Sequence, residues 1–238
     1  MHSSPRATMT TNDPDREAPP AATGLTAALV KPLMRGWIHL ATTPLALVAG
    51  LVLVAASPTL AGRLSAAVFA LAAVVLFGTS AVYHRGSWSP RWAGVLRRAD
   101  HSNIFLLIAG TYTPLSVLLL DRSTATWLLV IVWSGAALGI VSRLVWLSAP
   151  RWVYVPIYVA LGWVAVWFLP AFGRSGGGLI VALVMLGGLA YTLGAIAYGT
   201  KWPNPSPRWF GFHEIFHVGT VVGWSCHYAA VSVAAYTA

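Results

Sequence analysis

The sequence holds few of the residues that form the surface of a soluble protein. Only 9% of its 238 residues are charged, and Asp and Glu together number six. A soluble domain carries roughly a quarter charged residues, so this composition excludes an ordinary water-soluble globular protein. The single cysteine, Cys226, excludes a disulfide within the chain and a cysteine-based metal site.

Long apolar runs take the place of the missing charge. The chain is 57% hydrophobic, and its mean hydropathy is +0.70. Runs of about twenty residues recur, and each is long enough to cross a bilayer as a helix. We predict an all-α membrane protein, a bundle of seven transmembrane helices. The predicted spans lie near residues 38–60, 64–84, 101–120, 124–147, 152–170, 177–199 and 212–236.

The first residues differ from the rest of the chain. Residues 1–33 are rich in Pro, Ser, Thr and Ala with mixed charge, and they contain too little apolar surface to form a core. We predict a disordered cytoplasmic tail there, followed by the transmembrane domain over residues 34–238. Thirteen arginines against two lysines, with abundant Ala and Gly, are typical of a GC-rich bacterial genome. The sequence therefore indicates a multi-pass protein of a bacterial plasma membrane.

The net charge of +9 does not indicate nucleic-acid binding, because the basic residues sit in short connections between apolar runs. Cytoplasmic connections of membrane proteins are enriched in Lys and Arg. Ten basic residues fall on one side of the predicted bundle: Lys31, Arg35, Arg85, Arg91, Arg97, Arg98, Arg143, Arg151, Lys201 and Arg208. Three fall on the other: Arg63, Arg122 and Arg174. This bias predicts a cytoplasmic N-terminus and an external C-terminus.

Three histidines meet at the cytoplasmic face of this predicted topology. His213 and His217 lie four residues apart at the start of the last span, so both imidazoles share one helix face. His84 ends the second span at the same face. Three imidazoles with an open fourth position are typical of catalytic zinc sites. We therefore predict that His84, His213 and His217 bind Zn²⁺, although an all-histidine set also permits iron, nickel or copper.

Two further polar residues reach the same depth. Asp100 opens the third predicted span, and Ser80 lies one turn from His84 on the same face. Asp100 is the candidate general base for a water, and Ser80 is the candidate for positioning Asp100 or an oxyanion. The alternative for Asp100 is a helix N-cap. The alternative for Ser80 is a hydrogen bond to its own helix backbone.

The stretch from His213 to His217 also reads H-E-x-x-H, the pattern of zinc proteases in which the glutamate is the general base. Here the motif heads a transmembrane span, so we favour a position for Glu214 at the membrane interface, near Arg85, Arg97 or Arg98.

The remaining histidines are weaker candidates. His39 borders the basic flank of the first span, His101 points about 100° away from Asp100, and His227 lies about 15 Å beyond His217 along the helix.

Four motifs resemble the bacterial hemolysin III family, within the progestin and adipoQ receptor superfamily. They are GTSAVYH (78–84), RRADHSNIFLLIAGTYTP (97–114), GGLAYTLGAIAY (187–198) and FGFHEIFH (210–217). The resemblance covers nearly all of residues 35–236. It implies seven transmembrane helices and a zinc ion near the cytoplasmic face. It also implies the three-histidine ligand set and the Ser80 and Asp100 pair inferred above.

The resemblance implies three functions. Related adiponectin receptors and alkaline ceramidases are linked to hydrolysis of a lipid amide, so one expectation is zinc-dependent hydrolysis of a lipid amide or ester in membrane lipid homeostasis. A second is a non-enzymatic receptor or regulator with a structural zinc. The third is the cytolysin suggested by the family name. Membrane lipids are the expected partners in each case.

Overall fold

The computed structural model describes residues 31–237, and the long elements of this part of the chain are all helices joined by short connections. The helices are α1 (Trp37–Ala56), α2 (Leu60–Arg85), α3 (Pro90–Leu119), α4 (Arg122–Val145), α5 (Arg151–Gly162), α6 (Leu169–Thr200) and α7 (Phe212–Thr237). A short 3-10 helix, Trp163–Phe168, joins α5 to α6. The disordered tail predicted over residues 1–33 lies almost wholly outside the described residues.

Six helical stretches of residues 31–237 are long and apolar enough to cross a membrane. Five of them are α1, α2, α3, α4 and α7, and the sixth is the 50-residue stretch Arg151–Thr200, which contains α5, the 3-10 helix and α6. The prediction of an all-α membrane protein is therefore confirmed.

The stretch from Arg151 to Thr200 folds back on itself. Trp163 Nε1 donates to Thr192 Oγ1 at 2.8 Å, although an uninterrupted helix would separate these residues by about 43 Å along its axis. Arg151 Nη1 likewise donates to Tyr198 O at 3.3 Å. The backbone reverses where Gly177 adopts φ 79° and ψ 173°, a conformation open to glycine. Two antiparallel arms result.

The start of α3 differs from the prediction. The helix begins at Pro90, eleven residues before the predicted boundary at residue 101. Pro at the first helical position is favourable because its missing N–H has no partner there in any helix. The first three turns carry exposed basic residues and extend beyond the apolar span, so hydropathy alone did not detect them. Asp100 consequently lies inside α3, and its alternative assignment as an N-cap is wrong.

Small residues allow the helices to approach closely. A Cβ added to Gly139 on α4 would lie 2.3 Å from the Phe105 ring of α3. A Cβ on Gly219 of α7 would lie 2.8 Å from the Ala190 carbonyl oxygen of α6 and 3.0 Å from Gly194 Cα. The Gly219 contacts bring α7 against α6. The first turn of α7 then meets the ends of the other helices that form the site.

Candidate metal centre

Three histidines from two helices converge at one end of the bundle. His84 lies in the last turn of α2, and His213 and His217 lie in the first two turns of α7. One ring nitrogen from each residue lies within 4.8 Å of the others. The ring centroids of His213 and His217 are 4.7 Å apart, and the His84 centroid is 4.8 Å and 5.2 Å from them. The structure thus brings the three predicted metal ligands together.

The residues fit a bound transition metal. His84 Nε2 and His217 Nδ1 are buried nitrogens without a hydrogen-bond partner. A buried polar group without a partner is costly, whereas a metal ion uses the lone pair that such a nitrogen leaves free. His84, His213 and His217 are the group of three His, Cys, Asp or Glu side chains found among residues 31–237 whose ligand atoms lie close enough together to hold one ion. Zinc is compatible with such an imidazole set, and the geometry does not distinguish it from other transition metals.

Asp100 and Ser80 lie beside these histidines. Asp100 Oδ2 is 3.7 Å from His84 Nε2, and the Asp100 side chain is 12% exposed. Ser80 and Asp100 line the same small cavity as His213 and His217. Ser80 lies one turn before His84 on α2, so the same helix face presents both residues to α3. The carboxylate therefore faces the ring nitrogens and shares a cavity with the Ser80 hydroxyl.

A fourth histidine, a weaker candidate by its sequence position, joins the cluster. His39 stacks on His217 with ring centroids 3.8 Å apart and planes 17° from parallel. Its side chain is buried, and both of its ring nitrogens lack hydrogen-bond partners. His39 lies in the first turn of α1, at the same end of the bundle as the other three histidines. That shared depth was the one feature of the sequence that could have indicated its place in the cluster. The sequence could not show which way its ring points.

The segment before α1 packs across the histidine cluster. Leu33 N donates to Arg208 O at 2.9 Å, and Met34 N donates to Trp209 O at 3.1 Å. Lys31 Nζ donates to His84 O. Burial and the neighbouring guanidinium groups of Arg35 and Arg85 lower the pKa of Lys31. This segment therefore holds the end of α2 against the loop that leads into α7.

Gly36 allows the segment to approach so closely. It has φ 82°, and an added Cβ would lie 2.7 Å from His84 Cβ. A left-handed backbone conformation costs other residues roughly 1–2 kcal/mol, and here the space is also filled. The close approach at His84 therefore depends on glycine at this position.

Glu214 is not where the sequence analysis placed it. It is fully buried and forms an ion pair with Arg35, rather than with Arg85, Arg97 or Arg98. Its second oxygen accepts from Gly211 N at 2.8 Å. The carboxylate thus caps the start of α7, where the helix dipole favours negative charge. Both oxygens of Glu214 are engaged on this side, so the H-E-x-x-H motif does not present a free general base.

His101 and His227 lie outside the cluster, as predicted. His101 Nδ1 is 3.3 Å from Arg143 Nη2 on α4. His227 is buried between α6 and α7, where its Nε2 lies 3.2 Å from Val184 O. Arg143 lies in the last turn of α4, inside the span predicted over residues 124–147, and only 1% of its surface is exposed. Its guanidinium stacks on the Tyr154 ring at 4.2 Å.

Two cavities adjoin the cluster. The first, of about 20 Å³, is lined by Ser80, Asp100, His213 and His217 among others. A volume of that size holds about one water molecule. The second, of about 110 Å³, is lined mainly by apolar side chains of α3, α5, α6 and α7 and has His227 at its wall. Leu76, Ile104 and Phe216 line both cavities, so the larger apolar cavity lies directly beside the small one that Asp100 and the histidines line.

The helices able to cross a membrane and the three-histidine cluster define a multi-pass membrane protein with a candidate metal centre. Comparison with known proteins identifies its family. The Haemolysin-III related family model matches residues 27–228. The chain therefore belongs to the hemolysin III family, and it is an integral, multi-pass membrane protein.

Two curated relatives are similar over shorter lengths. The chain is 32% identical to the hemolysin-3 homolog of Bacillus subtilis (strain 168) over 146 residues, which is 61% of this chain and 68% of that protein. It is 32% identical to hemolysin-3 of Bacillus cereus over 99 residues, which is 42% of this chain and 45% of that protein.

Proposed function

We propose that this protein is a zinc-dependent hydrolase that cleaves the amide or ester bond of a membrane lipid and thereby serves membrane lipid homeostasis. We also propose that seven segments cross the membrane, with the N-terminus in the cytoplasm. The hydrogen bonds between the two arms of residues 151–200 support the count of seven. The single observation that carries the functional proposal is the meeting of three histidines and Asp100 beside an apolar cavity.

His84, His213 and His217 are the proposed zinc ligands. Zinc bound there would polarise the scissile carbonyl and lower the pKa of a bound water. Asp100 takes a proton from the attacking water, since its carboxylate faces the same small cavity as the histidines. The water oxygen joins the acyl carbon, the C–N or C–O bond breaks, and Asp100 returns the proton to the leaving nitrogen or oxygen. Ser80 holds the Asp100 carboxylate in position by hydrogen bonding.

The acyl chain of the substrate occupies the apolar cavity in this proposal. The cavity is lined mainly by aliphatic and aromatic side chains and lies against the small polar cavity at Leu76, Ile104 and Phe216. An acyl chain placed there has its carbonyl carbon at the polar end, near the histidines. Apolar pockets with a few polar groups at one end are typical of sites for such ligands.

The test of this proposal is Asp100→Asn. The variant retains its metal, because Asp100 is not a ligand, but its turnover of a lipid amide or ester falls by about 10²- to 10⁴-fold, the usual contribution of a general base. The matched control is Asp121→Asn, which changes the exposed N-cap of α4. Metal content and product release are measured on the same preparations. Equal turnover in wild type and Asp100→Asn would contradict the proposal.

A structural metal in a receptor or regulator is the second candidate, and the helix packing favours it. The ligands come from α2 and α7, while α2 packs chiefly on α1 and α3, and α7 chiefly on α6. A metal ion would therefore join two parts of the bundle that otherwise touch little. In this case Asp100→Asn leaves the function unchanged, whereas His84→Ala abolishes it.

The name of the Bacillus cereus relative, hemolysin-3, supports a cytolysin as a third candidate. Purified protein added to erythrocytes would then lyse them whether residue 100 is Asp or Asn. Six stretches able to span a membrane suit a resident protein better than an inserting toxin.

A further inference from the structure

A large basic depression opens above the histidine cluster, and we call it the basic vestibule. It has a volume of about 650 Å³ and is lined by five basic side chains: Lys31, Arg35, Arg97, Arg143 and Arg151. His84 and His213 line its floor, so the vestibule leads directly to the metal centre. Its volume lies within the range of roughly 300–1,000 Å³ that small-molecule sites occupy.

Four of the five cations have no acidic partner among residues 31–237. The ion pair in that part of the chain joins Arg35 to Glu214, and Asp100 Oδ2 lies 3.7 Å from His84 Nε2. The other acidic side chain of residues 31–237, Asp121, lies at the start of α4, whereas Arg143 lies in its last turn at the vestibule. Since Glu214 is engaged by Arg35 and Asp100 faces His84, the vestibule carries a net positive charge.

Topology signals alone account for basic residues near one membrane face. They do not account for Arg143, whose side chain is buried while its Nε lacks a partner. Its Nη atoms donate to the carbonyl oxygens of Trp146 and Leu147 at 3.2 Å, and no carboxylate reaches it. A buried charge is costly unless an opposite charge compensates it. The convergence of Arg143 with Arg97 and Arg151 on one depression therefore indicates an anionic ligand.

We propose that the basic vestibule binds the phosphate of an anionic lipid headgroup, and that the hydrolase substrate is an acyl lipid bearing such a phosphate. The assignment of substrate class rests on the proposed function, whereas the binding does not. Arginine recognises phosphate through paired N–H donors, and Arg97 and Arg151 lie on different helices, α3 and α5, so they can hold one phosphate from two sides.

The three spaces lie in the order that such a lipid requires. The vestibule contacts His84 and His213, the small cavity contacts His213, His217 and Asp100, and the apolar cavity follows at Phe216. A headgroup phosphate in the vestibule therefore leaves the acyl linkage at the histidines and the acyl chain in the apolar cavity. A lipid without a charged headgroup would leave the vestibule cations uncompensated.

Native mass spectrometry of the full chain in detergent tests this proposal. The probes are phosphatidic acid and diacylglycerol with identical acyl chains, which differ only in the phosphate. Wild type retains phosphatidic acid in preference to diacylglycerol. The Arg97→Gln/Arg151→Gln variant loses that preference by about tenfold or more, because each charge-assisted hydrogen bond that is removed weakens binding by about that factor. The matched control is Arg122→Gln/Arg174→Gln, which removes two exposed arginines outside the vestibule and keeps the preference.

Further arms separate the remaining explanations. Asp100→Asn retains the lipid preference and loses hydrolysis, as expected of a variant that lacks only the general base. A wild type that prefers phosphatidic acid but does not hydrolyse it would overturn the hydrolase and leave the binding proposal standing. Inorganic phosphate competes with phosphatidic acid weakly, because it lacks the acyl chain. Inorganic phosphate that binds as tightly as the lipid would assign the vestibule to a soluble anion and overturn the lipid assignment. Equal retention of phosphatidic acid and diacylglycerol by wild type would overturn the proposal as a whole.

Discussion

At the scale of single residues, the metal centre gathers polar side chains whose chemistry restricts them to few roles inside an apolar bundle. His84, His213, His217, Asp100 and Ser80 meet in the structure because a histidine or aspartate within an apolar helix needs a partner there. The sequence could not assign Glu214 or His39 correctly. The role of each residue depends on the direction of its side chain and on a contact distant in sequence. Glu214 forms an ion pair with Arg35, and His39 stacks on His217.

Glu214 provides a test of the residue-level assignment. Glu214→Gln weakens the charge-assisted bond with Arg35 and destabilises the fold by about 1.5–3 kcal/mol. Because Glu214 faces Arg35 and Gly211 rather than the histidines, turnover of the folded variant remains far above that of Asp100→Asn. Thermal unfolding and turnover are measured on both variants. A loss of turnover equal to that of Asp100→Asn at normal stability would identify Glu214 as the general base and support a protease-type mechanism.

At the scale of helices, hydropathy located the spans well but their ends less well. The last span was expected over 212–236, and α7 runs from Phe212 to Thr237. The start of α3 was missed because its first turns are basic and exposed, and a helix that projects beyond the bilayer needs no apolar sequence there. The sharp reversal at Gly177 is equally invisible to hydropathy, since both arms around it are apolar.

Close packing between α6 and α7 gives a prediction for these elements. In Gly219→Ala the new methyl group would lie 2.8 Å from Ala190 O, so α7 must shift. The expected cost is about 1–3 kcal/mol, as for other overpacked interiors. Because α7 carries two of the three histidines, metal affinity falls as well. Thermal unfolding in detergent and metal retention measure the two effects.

The matched control is Gly188→Ala on α6. Its added Cβ would find a Trp163 ring atom at 4.0 Å, an ordinary contact. This substitution leaves stability unchanged or slightly higher, because alanine favours a helix over glycine. If Gly188→Ala and Gly219→Ala were equally destabilising, the close approach of α6 and α7 would not be what stabilises the pair.

At the scale of the whole molecule, composition alone established the membrane class, and loop charges predicted its orientation. The described residues contain six stretches able to span a membrane by length and hydropathy. An even number of crossings would leave both ends of the chain on one side, whereas the proposed seven put them on opposite sides. The parity of the crossings therefore distinguishes the two topologies.

Thiol labelling of single-cysteine variants tests this parity. In a Cys226→Ser background, Leu33→Cys and Thr237→Cys place one exposed thiol near each end of the described chain. In intact cells, a membrane-impermeant thiol reagent labels Thr237→Cys and not Leu33→Cys, and permeabilised cells label both. Labelling of both variants, or of neither, in intact cells would contradict the seven-span topology.

The metal content of the purified protein tests the central claim most directly. Inductively coupled plasma mass spectrometry compares wild type with His213→Ala/His217→Ala, and His227→Ala serves as a control on the same helix outside the cluster. We predict about one zinc per chain in wild type and in the control, and a loss of zinc in the double variant. Wild type without stoichiometric metal, or a double variant that keeps as much as wild type, would contradict the metal centre.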